Sequence, residues 1–391
     1  MRSIDCSVNF CKVCGIARLE EVKEYADLPR VTSDCKPWPA GGRLSICMSC
    51  GAAQKIADEH WLAEAAAIYR DYEIYHQSAG VEQGIFDPTS GASVTRSRRL
   101  ADFLDDRLGL PTVGSVLDVG CGSGATLAAF SEVKNNWALY GYDLDDRRLG
   151  RLKTLANFRT LYTGDLSQIS GEFSIATLVH ATEHLPDPLG ILCALRPRLG
   201  AEGRLFIQVP DYCVNPFDLT VADHLLHFSL DTLVRLVEAA GFAVEIASDT
   251  VIVKELTVVA KPKPANANKP YHAAMIEPSF RNRLVVSELA WLQSVIAEAE
   301  RVAALGPLGI FGTSVAAAWI FGAVGDKIRF FVDEDPSRIG RQFMGRPILT
   351  VSEIPHDAQI YIPLAPVVAQ NIKYRHRDLP VAFHLPPALY F

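Results

Sequence analysis

No run of about 18 apolar residues occurs in the 391-residue chain, so a helix spanning a bilayer is not expected and no membrane partner is assigned. The opening Met1-Arg2-Ser3-Ile4-Asp5-Cys6 lacks the apolar centre of a secretory leader, so the expectation is a cytoplasmic protein with reduced thiols. A basic excess is missing too. The 38 Lys and Arg stand against 45 Asp and Glu, and a formal charge of -7 argues against a broad phosphate-tracking surface and makes nucleic acid a poor first substrate. What the chain does have is length and apolar content (49% hydrophobic), enough for two or three domains with full cores.

The most informative stretch is Val116-Leu117-Asp118-Val119-Gly120-Cys121-Gly122-Ser123-Gly124, an apolar strand that runs through an acid into three alternate glycines and then a helix. Glycines at such a turn let main-chain N–H groups approach a ligand at a helix N-terminus. The spacing is G-x-G-x-G, whereas a pyrophosphate-binding dinucleotide turn more often reads G-x-G-x-x-G. Asp118 would repel phosphate and suit a cationic ligand that bears an amino acid. The stretch resembles motif I of class I S-adenosylmethionine (SAM) methyltransferases, which implies SAM contacts at Asp118, Gly120, Gly122 and Gly124; a tight structural turn is the plain alternative.

Cysteines crowd the first fifty residues, and four form matched pairs, Cys11-Lys12-Val13-Cys14-Gly15 and Cys47-Met48-Ser49-Cys50-Gly51. Two C-x2-C-G knuckles can close a tetrahedral thiolate site, so Cys11, Cys14, Cys47 and Cys50 are expected to hold a structural zinc ion, with Cys6 and Cys35 as spares. Four thiolates leave no open position for catalysis. Disulfides are the rival reading. The 32 residues between the pairs include a Pro-rich insert, Pro29 to Pro39, expected to loop out.

Helical patterns follow (Trp61 to Tyr69, Ser93 to Arg107), flanking a hydroxyl-rich segment, Tyr69 to Gly80, that reads either as a lid containing Tyr75 or as aromatic packing. Strand and helix patterns then alternate as a parallel sheet requires: Ser115 to Val119, Trp137 to Tyr142, Phe173 to Val179, Arg204 to Val209. Asp143, ending the second strand, can accept both hydroxyls of a ribose, or cap a helix. Asp165 and Leu166 follow the third strand and would lie near an adenine. The fourth strand delivers His180-Ala181-Thr182-Glu183-His184 to the carboxyl edge of the sheet, where ligands bind, so His180 would line the cofactor and His184 the acceptor, or either would cap the next helix. Beyond the fifth strand, Asp223-His224 with His227 suits proton transfer, the carboxylate fixing the imidazole tautomer; the alternative is that His227 supports a helix capped by Ser229.

After a Pro/Asn linker from Lys261 to Pro270, Pro307-Leu308-Gly309-Ile310-Phe311-Gly312 and the strand ending at Asp333 read as a small nucleotide-fold unit without the dinucleotide signature. The expected architecture is α/β: a zinc module over 1–55, a Rossmann-like SAM methyltransferase sheet over 56–262, and a C-terminal Rossmann-like α/β domain over 263–391.

This order of parts resembles the deoxysugar C-methyltransferase family. The resemblance implies methyl transfer from SAM to a nucleotide-linked or glycan-linked sugar, with the C-terminal domain helping to hold substrate. That family carries Tyr-x-Glu-His after the fifth strand. The corresponding residues here are Val221-Ala222-Asp223-His224, which keep the acid and the histidine and lose the tyrosine, so O-methylation stands beside C-methylation. The residues implied to be catalytic are His224, Asp223, His184 and Tyr75. Two alternatives remain: a zinc-containing RNA methyltransferase, against which the acidity and the missing Asn-Pro-Pro-Tyr motif stand, and a non-catalytic SAM or sugar-nucleotide scaffold.

Overall fold

The computed structural model describes residues 10–73, 82, 84–86, 93–263 and 276–389. Its largest sheet has seven strands, numbered here within that sheet: β1 (Ser115–Val119), β2 (Ala138–Tyr142), β3 (Phe158–Tyr162), β4 (Phe173–Val179), β5 (Leu199–Pro210), β6 (Phe242–Ser248) and β7 (Glu255–Pro262). The order is 3-2-1-4-5-7-6, with β7 antiparallel to both neighbours and the other pairings parallel. Strands buried on both faces read as continuous apolar runs, and Ile175, Leu178, Leu205 and Ile207 in β4 and β5 are fully buried. The order reverses between β1 and β4, which opens a crevice at their carboxyl ends.

Local chemistry sets the flanking helices. Asp58 caps Glu59–Arg70 through the Trp61 N–H at 2.9 Å. Thr95 caps Arg96–Leu108, which ends on left-handed Gly109. Ser229 caps Leu230–Ala239 in a capping box with Thr232. His227 is not part of that cap: it lies on a two-residue strand, Leu226–His227, whose pairing is described next.

That strand is the fourth in a sheet made otherwise by the N-terminal segment, in the order Leu19–Val22, Leu44–Cys47, Ala53–Lys55, Leu226–His227. His227 pairs with Ala53, and the Leu225 carbonyl accepts the Lys55 N–H at 2.8 Å. Cys11, Val13, Cys47 and Cys50 share one apolar core with β1, β4, β5 and β7. The cysteine-rich segment is thus built into the side of the central sheet.

The insert between the cysteine pairs does not loop out. Arg30, Val31, Thr32, Asp34 and Cys35 are buried, and Tyr25, Leu28 and Val31 share a core with helix Pro278–Ala303 and the C-terminal sheet. The Trp319 indole donates to the Pro29 carbonyl at 2.6 Å, and the Ala222 N–H donates to the Val31 carbonyl at 2.8 Å. Leu28 and Val31 give the insert apolar surface that would be lost in solvent.

The C-terminal sheet has six strands, with Leu308–Phe311, Ile328–Val332, Arg346–Leu349, Gln359–Tyr361 and Ala382–His384 all parallel and only Gln342–Phe343 reversed at the edge. Gly345, at φ 70°, turns the chain from Gln342–Phe343 into Arg346–Leu349. No described helix is long and apolar enough to cross a membrane.

Candidate active site

Gly120, Gly122 and Gly124 all adopt positive φ (74°, 48° and 81°), a region costly for residues with a Cβ. A Cβ at Gly120 would also lie 2.8 Å from the Ala181 Cβ just beyond β4. Gly120→Ala is therefore expected to cost about 1–3 kcal/mol of stability and to weaken SAM binding, measured by thermal melts and titration calorimetry. Asp118 is buried beneath the turn, accepts the Thr177 hydroxyl at 2.6 Å, and is pushed by burial up to about 7. Asp143, half-buried at the end of β2, accepts N–H groups from Gly122 at 2.8 Å and Leu144 at 2.7 Å. A bare glycine backbone held open by φ alone, with two carboxylates against it, fits SAM's amino-acid and ribose groups.

Asp165 is exposed and Leu166 buried; the Tyr142 hydroxyl donates to the Gly164 carbonyl at 2.6 Å, which draws this loop to the end of β2. His180 lines the cleft with φ +51°. Its ring lies 3.3 Å from Glu183 and 3.3 Å from Glu255, which also meets Arg96 at 3.1 Å. Burial opposes a charge on His180, yet the two carboxylates outweigh it and raise the ring to about 9. Tyr75 lies outside the described residues. Tyr69 and Tyr72, at the start of the same segment, do reach the site: the Tyr69 hydroxyl is 2.8 Å from His184 Nδ1 and the Tyr72 hydroxyl 3.1 Å from Ser33 Oγ.

The main correction concerns the acid paired with His224. Asp223 adjoins it in sequence, but its carboxylate accepts the Ser33 N–H at 2.8 Å and the Ser33 hydroxyl at 2.5 Å and lies 3.4 Å from His184 Nδ1. Adjacent residues in an extended loop point apart, so Asp223 reaches back to the N-terminal insert. The partner of His224 is Asp218, with Nδ1 to Oδ1 2.7 Å, and the other oxygen of Asp218 meets His227 Nδ1 at 2.7 Å. Burial works against charge throughout this group. Even so, the two rings hold Asp218 far below the usual carboxylate range, and Asp218 raises His224. One carboxylate cannot support two cations, and Lys55 stands on the His227 side. Burial and that amine push His227 down to about 4, so the proton belongs to His224. Sequence reasoning missed Asp218; its signal is one acid inside the apolar run Pro216-Phe217-Asp218-Leu219, six residues before His224.

Asp118, Gly120, Gly122, His180, Glu183, His184, Asp218 and His224 line one cleft of about 750 Å³. Ser33 to Cys35 of the insert and Ser314 and Arg338 of the C-terminal unit line it as well. Cys35, a spare candidate for metal, lines this cleft instead.

The four other cysteines converge. Their sulfurs lie within 4.8 Å of one another, with Cys11 to Cys50 and Cys14 to Cys47 each 3.6 Å. The two knuckles match: Gly15 and Gly51 take φ of 73° and 76°, and the Val13 and Ser49 N–H groups each point at a sulfur at 3.4 Å. Amides aimed at sulfur stabilise thiolate, so this donor set fits a thiophilic divalent cation.

Sheet order, glycine turn and cleft define a class I, Rossmann-like SAM-dependent methyltransferase domain. Residues 94–246 match the model of a methyltransferase domain family. The C-methyltransferase NovU of Streptomyces niveus is 27% identical over 200 residues, covering 48% of this chain and 46% of that protein. The ubiquinone biosynthesis O-methyltransferase of Aeromonas salmonicida is 26% identical over 165 residues, covering 37% of this chain and 68% of that protein. A SAM-dependent methyltransferase structure from Clostridium acetobutylicum aligns over 44% of this chain and 93% of its own with 11% identity and a TM-score of 0.36. The matched region spans less than half of NovU.

Proposed function

We propose that the protein transfers a methyl group from SAM to a carbon or oxygen of a sugar, nucleotide-linked by preference, with His224 as general base, and that it divides into a zinc module, a catalytic domain and a substrate-assisting domain. The observation that carries this reading is the Asp218–His224 pair opening on the same cleft as the glycine turn. A cleft of about 750 Å³ suits a cofactor and an acceptor together. The resemblance in the order of parts supports a sugar acceptor, and the similarity to both a C- and an O-methyltransferase leaves the accepting atom to either element.

Asp118, Gly120 and Gly122 would hold the amino-acid end of SAM, Asp143 its ribose, and the loop at Asp165 and Leu166 its adenine, with His180 beside it. When bound, SAM supplies an electrophilic methyl for in-line displacement. The chain's own share is alignment and proton removal, and alignment alone can contribute about 7–11 kcal/mol. Because the Asp218 carboxylate can only accept, Nδ1 of His224 carries the proton of that bond, and Nε2 is the nitrogen that takes the acceptor's proton. Tyr69 and Asp223 fix His184 beside it. Four cysteine thiolates would hold a structural zinc ion.

Two outcomes follow. Asp143→Ala should weaken SAM binding by about 10- to 150-fold, as losing a charged hydrogen-bond partner costs about 1.5–3 kcal/mol, read by calorimetry; unchanged affinity sinks the ribose assignment. The rising limb of kcat/KM with pH should lie above the ordinary histidine value of 6.5, because His224 is raised. For stability the sign is opposite. The protonated His224–Asp218 pair stabilises the fold fully below pH 6.5, and that contribution fades as pH rises through the raised value, so stability declines over the range in which the base becomes available.

A further inference from the structure

Glu183 is 1% exposed; its carboxylate lies 3.3 Å from the His180 ring, with the His184 and His224 rings beside it. A buried carboxylate ringed by imidazoles is completed either by protons on those rings or by a cation that the rings and the carboxylate ligate together. Each of Glu183, His184 and His224 offers one ligand atom within 4.8 Å of the other two, and all three residues line the cleft.

Both histidines are already oriented as metal ligands are. His184 Nδ1 lies 3.1 Å from the Asp223 carbonyl and 2.8 Å from the Tyr69 hydroxyl, which can accept from it as well, and His224 Nδ1 lies 2.7 Å from the Asp218 carboxylate. A carbonyl or carboxylate oxygen can only accept, so each Nδ1 carries hydrogen, and Nε2 is the nitrogen left to ligate an ion, which on His224 means displacing a proton. Outer partners of this kind fix the tautomer and ring direction of metal-bound histidines. The Asp218, His224 and His227 group differs: its atoms sit at 2.7 Å, the length of hydrogen bonds, and it is held by protons.

We propose that Glu183, His184 and His224 form a second divalent-cation site in the cleft, distinct from the four-cysteine cluster. Two imidazoles and one carboxylate select a borderline ion of the zinc, cobalt or nickel type, whereas the cysteines select a thiophilic one. The ion binds through the nitrogen that serves as base, so occupancy blocks methyl transfer. The binding stands on the geometry alone, and the inhibition rests on the role given to His224 above.

The test uses full-length protein with its cysteine cluster filled with zinc, titrated with Co²⁺. Expected is one Co²⁺ per chain with the weak visible bands of nitrogen and oxygen ligation and no strong sulfur charge-transfer band. Glu183→Gln and His184→Ala should each weaken that binding at least tenfold, and transfer activity should fall in step with occupancy. If both variants unfold in thermal melts, the wild-type spectrum decides, since bound Co²⁺ should shift the ring protons of two histidines. No such Co²⁺, or equal affinity in folded variants, overturns the site. Full activity at full occupancy overturns the inhibition. Absence of methyl transfer without cobalt instead contradicts the proposed function and leaves the site standing.

Discussion

Asp218→Asn is expected to cut methyl transfer by about three to four orders of magnitude while leaving SAM affinity unchanged, because an amide in place of the carboxylate can donate to His224 Nδ1 and put the proton on the wrong nitrogen. The substitution keeps volume, and the recorded side-chain partners of Asp218 are His224 and His227 rather than the glycine turn, so binding should be spared. The same variant removes the anion that raises His224, so any residual activity should have its rising limb moved to lower pH. Asp223→Asn separates the two acids. It keeps an acceptor for Ser33 and leaves the Asp218–His224 bond intact, so its loss should be much the smaller. Steady-state rates and pH profiles of both variants decide, and equal losses would return the base to the Asp223–His224 pair.

Removing metal from the cysteine cluster is expected to abolish activity as well, through the fold. Structural zinc sites supply about 10–16 kcal/mol of apparent binding energy at neutral pH, as much as the whole stability of an ordinary domain. The segment that depends on it pairs Ala53–Lys55 with Leu226–His227, and His227 holds the far oxygen of Asp218. Chelation should therefore loosen the N-terminal sheet and the base together. Metal analysis should find about one zinc per chain. Hydrogen exchange after chelation should show Leu44–Cys47, Ala53–Lys55 and Leu226–His227 opening as one unit, while β1 and β4 stay protected. Finding no metal, or unchanged protection in those strands, would count against a structural zinc.

The features legible in the sequence are those whose geometry is set by spacing. Three alternate glycines after a strand become a turn with positive φ in sequence order, and each C-x2-C-G forms its own knuckle, so motif I and the cysteine set could be read residue by residue. Strands β1, β4 and β5 at the centre of the sheet were legible because burial on both faces leaves continuous apolar runs. The acceptor side was not, because its contacts cross the chain: Asp223 reaches 190 residues back to Ser33, and Tyr69 reaches 115 forward to His184. Adjacency suggested the Asp223–His224 pair, but backbone direction, set by the bridge from Val31 to Val221, turned the two side chains to different partners. The Pro-rich insert misled for a related reason. Prolines do mark irregular backbone, but Tyr25, Leu28 and Val31 needed a core, and helix Pro278–Ala303 and the C-terminal sheet supply much of it.

The most direct measurement is incubation of the protein with methyl-labelled SAM and a panel of nucleotide-linked keto and hydroxy sugars, followed by mass spectrometry and NMR of the products. The result expected is one labelled methyl on a single carbon or oxygen of one sugar class, lost in Asp218→Asn and His224→Ala. Tight SAM binding with no label in any sugar, or transfer that survives both substitutions, would contradict the account.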